Sequence, residues 1–194
     1  MSDADRARWD ARYAREGLVM GPRPKSLVLE LAPALPRTGR ALDIACGEGQ
    51  LAIWLAQRGM QVTAVDVAPK GLEKLRARAA ELGLTDRIEV VEADLDHGLP
   101  EISGPLDLVA CVDFYSPPIV AQARRLLAPA GLLLVELVLQ PPGGDSPHRA
   151  PPGAALEFAA GLRVQFYREG IIKERALAQL LAQQAPAETL SFSG

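Results

Sequence analysis

The central part of the chain alternates between two hydrophobic patterns. Short apolar runs have the length of strands: RALDIA (40–45), QVTAVDV (61–67), RIEVVEAD (87–94), LDLVACVD (106–113) and GLLLVELVLQ (131–140). Between them, apolar residues recur every three or four positions, as in helices: QLAIWLAQRG (50–59), APKGLEKLRARAAELG (68–83) and PPIVAQARRLLAP (117–129). Strands that alternate with helices predict a mostly parallel sheet with helices on both faces, which is a doubly wound α/β architecture.

The segment RARWDARYAREG (6–17) precedes this alternating region and predicts an amphipathic helix. Trp9 and Tyr13 are four residues apart and therefore share one face of that helix. The same spacing argument assigns three arginines to another, solvated face: Arg8, Arg12 and Arg15.

The segments after residue 160 give conflicting signals. LRVQFYREG (162–170) alternates between apolar and polar residues, as a half-buried strand does. KERALAQLLAQQ (173–184) is rich in Ala, Leu and Gln, which favour a helix. Propensity alone therefore predicts a helix for this last segment.

Length and composition indicate one globular domain. The chain has 194 residues, of which 48% are hydrophobic and 23% charged, and its net charge is −3. This balance gives no reason to expect a nucleic-acid partner. The charged start MSDADRARWD and the lack of a long apolar run lead us to expect a cytoplasmic protein that does not contact membranes. Two cysteines and two histidines, far apart in the sequence, give no metal-binding pattern.

The turn after the first predicted strand carries the clearest chemical signal. Gly47, Gly49 and Ala52 fit the Gly-x-Gly-x-x-Gly/Ala spacing of nucleotide-binding turns, which lie where ligands bind in such sheets. Asp43 and Glu48 would repel a phosphate at this place, and the turn contains no lysine. We therefore expect a cationic or zwitterionic ligand.

The stretch LDIACGEGQ (42–50) resembles the first motif of class I S-adenosylmethionine-dependent methyltransferases. The resemblance implies S-adenosyl-L-methionine as cofactor and S-adenosyl-L-homocysteine as product. It also implies a Rossmann-like sheet of seven strands, mostly parallel with an antiparallel C-terminal strand. On this ground we assign residues 173–184 to a strand, against their helix propensity.

The same resemblance assigns cofactor-binding roles along the strand ends. Asp66 would accept hydrogen bonds from the ribose hydroxyls, as an acid in this place also does in NAD-binding folds. Asp94 would accept from the adenine amino group. The full predicted set comprises Asp43, Ala45, Cys46, Gly47, Gly49, Asp66, Val67, Ala93, Asp94, Leu95, Cys111 and Asp113. Cys46 is expected to be a small buried residue rather than a nucleophile.

The substrate side is less well defined. WDARY (9–13) followed by GPRPKSLVLELAPALP (21–36) resembles small bacterial methyltransferases grouped with tellurite-resistance proteins and, less closely, thiopurine methyltransferases. This implies a small-molecule substrate beneath an N-terminal helical lid. Residues predicted to face the substrate are Trp9, Tyr13, Phe114 and Tyr115, and weak catalytic candidates are Tyr115, His148 and Arg149. For Tyr115, a packing role is equally compatible with the sequence. For His148 and Arg149, a His-Arg pair in a flexible loop is more often solvated than functional.

These observations predict one domain over residues 1–194. Its parts are a helical lid (1–35), a cofactor-binding core (40–140), a loop rich in Pro and Gly (141–153) and a C-terminal helix with a hairpin (154–184). The predicted function is methyl transfer to a small thiol or a chalcogen oxyanion such as tellurite or selenite. The alternatives are a non-catalytic S-adenosylmethionine-binding protein and a nicotinamide-dependent oxidoreductase, which would share the glycine turn and Asp66.

Overall fold

The computed structural model describes residues 3–186. Its seven strands are β1 (Arg40–Ile44), β2 (Gln61–Asp66), β3 (Ile88–Glu92), β4 (Leu106–Val112), β5 (Leu127–Val138), β6 (Arg163–Ile172) and β7 (Arg175–Gln183). Its α-helices are α1 (Asp3–Tyr13), α2 (Ser26–Glu30), α3 (Gln50–Gln57), α4 (Pro69–Glu81), α5 (Pro117–Arg124) and α6 (Ala154–Phe158). Across the described residues, none of these helices has both the length and the apolar character needed to cross a membrane.

The strands form one sheet in the order β3-β2-β1-β4-β5-β7-β6. Strands β1 to β5 pair in parallel, and β7 pairs antiparallel with both β5 and β6. The predicted Rossmann-like sheet of seven strands, with an antiparallel strand near the C-terminus, is confirmed. The strand order reverses between β1 and β4, which is where such sheets bind ligands.

Strand β7 forms although its composition favours a helix. Leu180 packs into the hydrophobic layer on one side of the sheet, and the next residue, Leu181, packs into the layer on the other side. Both side chains are buried, at 0% and 1% exposure. Only an extended strand directs successive side chains into opposite layers, so burial outweighs the propensity of Ala, Leu and Gln.

The helix after β4 is shorter than the sequence predicts. The pattern predicts a helix over 117–129, but α5 ends at Arg124. The carbonyl of Leu126 instead accepts a hydrogen bond from the N–H of Leu106 at 2.7 Å, and Leu127 pairs with Leu106 in the sheet. Pro129 disfavours a helical conformation at the preceding residue, so this segment joins β5.

Candidate active site

A cavity lies at the carboxyl ends of β1, β2 and β4, and we call it the strand-end cavity. It encloses about 850 Å³, including the part open to solvent. The strands and the turns after them contribute Asp43, Ala45, Cys46, Gly47, Asp66, Val112, Asp113 and Phe114. The N-terminal part of the chain and α3 contribute Trp9, Tyr13, Met20, Arg23, Pro24, Lys25, Val28, Gln50 and Leu51.

Two buried aspartates shape the floor of this cavity. Asp66 accepts hydrogen bonds from the N–H of Gly47 at 2.8 Å and of Ala68 at 2.9 Å. Asp43 accepts from the N–H of Ala52 at 3.1 Å. The two carboxylates therefore hold the glycine turn against the ends of β1 and β2.

Burial changes the acidity of both aspartates. It raises the pKa of Asp43 to about 7, against the lowering effect of the hydrogen bond from Ala52, and the nearby Asp66 raises it further. Burial also raises the pKa of Asp66, although the hydrogen bonds from Ala68 and Gly47 oppose this. A bound cation would favour the charged forms of both groups.

The missing side chain of Gly47 makes room for Tyr13. Gly47 has a left-handed backbone (φ +55°), and a Cβ there would lie 2.5 Å from the Tyr13 hydroxyl oxygen. A Cβ at Gly71 of α4 would lie 3.0 Å from the Tyr13 ring. Tyr13 itself is only 6% exposed. These two glycines thus allow α1 to pack onto the turn.

Trp9 and Tyr13 form the roof of the strand-end cavity. Their rings stack at 5.7 Å between centroids and 22° between planes, so the prediction that they share a helix face is confirmed. The guanidinium carbons of Arg12 and Arg8 lie 5.2 Å and 5.6 Å from the centre of the Trp9 ring. Both arginines are exposed, and they also flank the indole, where they gain cation–π contact.

Glu48 does not face the cavity, contrary to our expectation. Its fully buried carboxylate accepts hydrogen bonds from the N–H groups of Val19 and Met20, both at 3.1 Å, and pairs with the Lys74 ammonium at 2.9 Å. Burial opposes ionisation, but these bonds prevail and lower the pKa of Glu48. We call these four residues the Glu48 clasp. Of the two acids in the first strand and its turn, only Asp43 therefore remains in a position to repel a phosphate.

Several residues predicted to bind the cofactor lie outside the lining of this cavity. Gly49 is the N-cap of α3, with a left-handed backbone. Asp94 caps a short 3₁₀ helix by accepting from the N–H of Asp96 at 2.9 Å. The others are Val67, Ala93, Leu95 and Cys111, of which Val67, Leu95 and Cys111 are buried. The N–H of Ala93 nevertheless donates to the backbone carbonyl of Asp66 at 2.9 Å, so the predicted adenine contacts adjoin the strand-end cavity and their role stays a prediction.

The candidates next to β4 take different positions. Asp113 and Phe114 line the strand-end cavity, whereas Tyr115 stacks on Phe158 of α6 at 6.0 Å. Asp113 has a positive φ of 56° and forms ion pairs with Lys25 and, at 3.3 Å, with Arg175. Sequence reasoning missed Lys25, although it lies in the GPRPKS stretch used for the family resemblance.

A second cavity adjoins the first, and we call it the arginine cavity. Trp9, Met20 and Asp113 line both cavities, so they form a shared wall. The remaining lining is Arg8, Ala11, Arg12, Arg15, Val138, Ser146, His148, Arg149 and Arg175. His148 lies 3.2 Å from a carboxylate oxygen of Asp5. The loop candidates His148 and Arg149 therefore face this cavity and not the strand-end cavity.

The comparison with known families agrees with this geometry. Residues 41–131, which include β1, the glycine turn and the two buried aspartates, match the model of the methyltransferase domain family. The chain carries a class I methyltransferase domain. The resemblance seen in LDIACGEGQ is thereby confirmed, and the cofactor of this family is S-adenosylmethionine.

Relatives and solved structures extend the comparison. The ubiquinone biosynthesis O-methyltransferase of Xylella fastidiosa is 34% identical over 116 residues, which are 56% of this chain and 46% of that protein. The chain spans about half the length of the curated relatives it matches, from 39% to 57%.

Two solved structures share the fold over most of the chain. The magnesium protoporphyrin IX methyltransferase of Synechocystis with bound S-adenosylhomocysteine has a TM-score of 0.69 and 19% identity, covering 94% of this chain and 95% of its own. TehB of Haemophilus influenzae has a TM-score of 0.69 and 16% identity, covering 92% and 66%. At these identities the two structures establish a common fold.

Proposed function

We propose that the protein transfers a methyl group from S-adenosylmethionine to a small molecule. The observation that carries this proposal is the strand-end cavity, where three aspartates meet the glycine turn under the Trp9 and Tyr13 roof. The match of residues 41–131 to the methyltransferase domain family, which uses this cofactor, supports the proposal.

The polar groups of the cavity fit the ribose and methionine parts of the cofactor. Each oxygen of Asp66 already accepts one backbone hydrogen bond, and a carboxylate oxygen has a further lone pair for a ribose hydroxyl. Asp43 offers a negative charge to an ammonium or sulfonium group. Arg23 lines the same space and could hold the methionine carboxylate.

When bound, S-adenosylmethionine supplies an activated methyl carbon. The acceptor's electron pair would form the new bond to this carbon while the sulfonium carbon–sulfur bond breaks, and the electrons of the broken bond would stay on sulfur. The protein's part is to align the two reactants and to exclude water. Trp9 and Tyr13 cover the cavity, and Phe114 lies at the end of β4 where an acceptor would approach.

Two ionisable residues near the shared wall already have charged partners. Asp113 is paired with Lys25 and Arg175, and His148 lies beside Asp5. An acceptor that is already anionic at neutral pH needs no general base. This supports a thiolate or a chalcogen oxyanion as the methyl-accepting group.

The proposal is tested by ligand-induced shifts of the melting temperature. S-adenosylmethionine and S-adenosylhomocysteine are expected to raise it, while NADH and NADPH leave it unchanged. Release of S-adenosylhomocysteine with a panel of small thiols, tellurite and selenite then measures turnover. Stabilisation by a nicotinamide alone would refute the proposal. Stabilisation by both S-adenosyl ligands without turnover of any acceptor, protein and tRNA included, would favour a binding protein without catalysis.

A further inference from the structure

The arginine cavity concentrates positive charge on a chain that is negative overall. Five arginines line it, against one lining carboxylate, Asp113, while the whole chain has a net charge of −3. Arg175 pairs with Asp113, and Arg8 pairs with Asp5 at 3.0 Å. Like charges gathered in one concave space repel each other, and a bound anion removes that repulsion.

Three of these guanidinium groups have no acidic partner among the residues that the structure describes. Within the described part of the chain, Arg12, Arg15 and Arg149 have no carboxylate oxygen within 4.0 Å. Arg12 instead lies over Trp9 and donates to the sulfur of Met20 at 3.7 Å. Because a guanidinium offers several N–H donors in one plane, these groups suit carboxylate and phosphate oxygens.

The cavity also has features that a simple oxyanion would not use. Its charges come from separate parts of the chain: α1 and the turn after it, the loop that carries Arg149, and β7. Between them lie the apolar surfaces of Trp9, Met20 and Val138. About 820 Å³ of this cavity is accessible to a water-sized sphere, which is more than an anion of four atoms fills.

We propose that the arginine cavity binds an organic methyl acceptor with two or more anionic groups, either carboxylates or phosphates, and directs its accepting atom past the shared wall. This inference rests on the proposed function. Arg12, Arg15 and Arg149 hold the anionic groups, and the carbon body packs on Trp9 and Met20. The accepting atom then reaches the strand-end cavity next to Asp113 and Phe114.

The first test measures anion binding without turnover. Citrate and tripolyphosphate are titrated calorimetrically into the full chain with S-adenosylhomocysteine present. At least one probe is expected to bind, more weakly as sodium chloride is raised, and the preferred probe distinguishes carboxylate from phosphate recognition. The double variant Arg15→Gln, Arg149→Gln should bind it at least about tenfold more weakly, which corresponds to about 1.4 kcal/mol.

The control removes the same type of charge elsewhere. Arg125→Gln changes an exposed arginine at the end of α5 and should bind the probe as the wild type does. Equal affinity in wild type and double variant, or no binding of either probe, would overturn the inference. Tighter binding of a short single-stranded oligonucleotide, lost in the same double variant, would overturn it in favour of a nucleic-acid substrate.

The second test compares two thiol acceptors, mercaptosuccinate with two carboxylates and neutral 2-mercaptoethanol. Mercaptosuccinate is expected to have a KM at least about tenfold lower, and the double variant should lose this advantage with kcat little changed. Equal KM values in the wild type would contradict the inference while leaving methyl transfer intact. Citrate binding without any S-adenosylhomocysteine binding would instead refute the proposed function and, with it, the assignment of the anion as a methyl acceptor.

Discussion

The strand-end cavity and the arginine cavity share a wall, yet they are constructed in opposite ways. In the first, the key groups are buried carboxylates that backbone N–H groups hold in place. In the second, they are exposed guanidinium groups on segments far apart in the sequence. The first cavity is therefore part of the folded core, whereas the second is a surface that can vary without altering the fold.

The largest effect is expected from loosening the wall between the two cavities. The Glu48 clasp holds the backbone at Met20, and Lys74 neutralises its buried charge. Lys74→Met leaves Glu48 without its cation, and removing one partner of a buried pair typically costs about 3 to 5 kcal/mol. We expect the free energy of unfolding to fall by an amount near the lower limit of this range, because the backbone donors to Glu48 remain and Lys74 is 23% exposed. Urea unfolding measures it.

The matched control lies on the same helix. Lys70 pairs with Glu73 at the surface, with 47% and 59% of the side chains exposed. Solvent and salt screen such a pair, so Lys70→Met should change the free energy of unfolding little. If the two variants were equally stable, the clasp would not be the contact that holds this wall.

The next effect is a pH dependence that belongs to the strand-end cavity. Burial raises the pKa of Asp43 from 3.8 to about 7, so the folded state retains a proton that the unfolded chain releases. The stability that this group contributes is complete below about pH 4 and is lost as the pH rises to about 7. Asp43→Asn cannot ionise. From about pH 5 to about pH 8, the wild type should lose about 2 to 3 kcal/mol relative to this variant. Urea unfolding measures both proteins across this pH range. If their free energies of unfolding changed with pH in parallel, Asp43 would be ionised in the folded state over the whole range.

A third experiment separates the aspartates that do and do not line the strand-end cavity. Asp66→Asn should greatly reduce the affinity for S-adenosylhomocysteine, since a hydrogen bond to a charged group typically contributes about 1.5 to 3 kcal/mol. Asp94→Asn should retain most of the affinity, because Asp94 caps a helix outside this cavity. Calorimetric titration measures both. A larger loss in Asp94→Asn would place the adenine contact where the sequence resemblance predicted it.

The smallest effect on stability is expected in the arginine cavity. Arg15→Gln and Arg149→Gln remove exposed side chains that have no carboxylate nearby in the described chain. Their melting temperatures should equal that of the wild type, in contrast to Lys74→Met. A substantial fall in either variant would mean that these arginines support the fold and are not reserved for a ligand.

The strand-end cavity could be predicted from the sequence because topology determines it. Parallel strands bring their carboxyl ends to one edge, so Asp43, Asp66 and Asp113 had to lie near each other once the strands were recognised. Strand β7 required the family resemblance, since its propensity indicated a helix and only its burial in both layers explains the strand.

Other features depended on directions that the sequence does not reveal. Glu48 lies in the predicted turn, but its side chain points to Val19, Met20 and Lys74, and no local pattern indicates this. The arginine cavity needs the fold to bring α1, the loop after β5 and β7 together. His148 and Arg149 were named as candidates, yet the cavity they share with Arg12 and Arg15 was not foreseeable.

The Glu48 clasp also has a consequence for the order of events during translation. Val19 and Met20 leave the ribosome before the carboxylate that binds them, which follows Met20 by 28 residues, and before the ammonium of Lys74. Helix α1 therefore has nothing to dock onto when it is made. Its sequence, DADRARWDARY, is mostly charged. The segment therefore stays hydrated and does not aggregate before it docks. Helix α1 is thus synthesised before β1, the glycine turn and α4, but can dock only once they have folded beneath it.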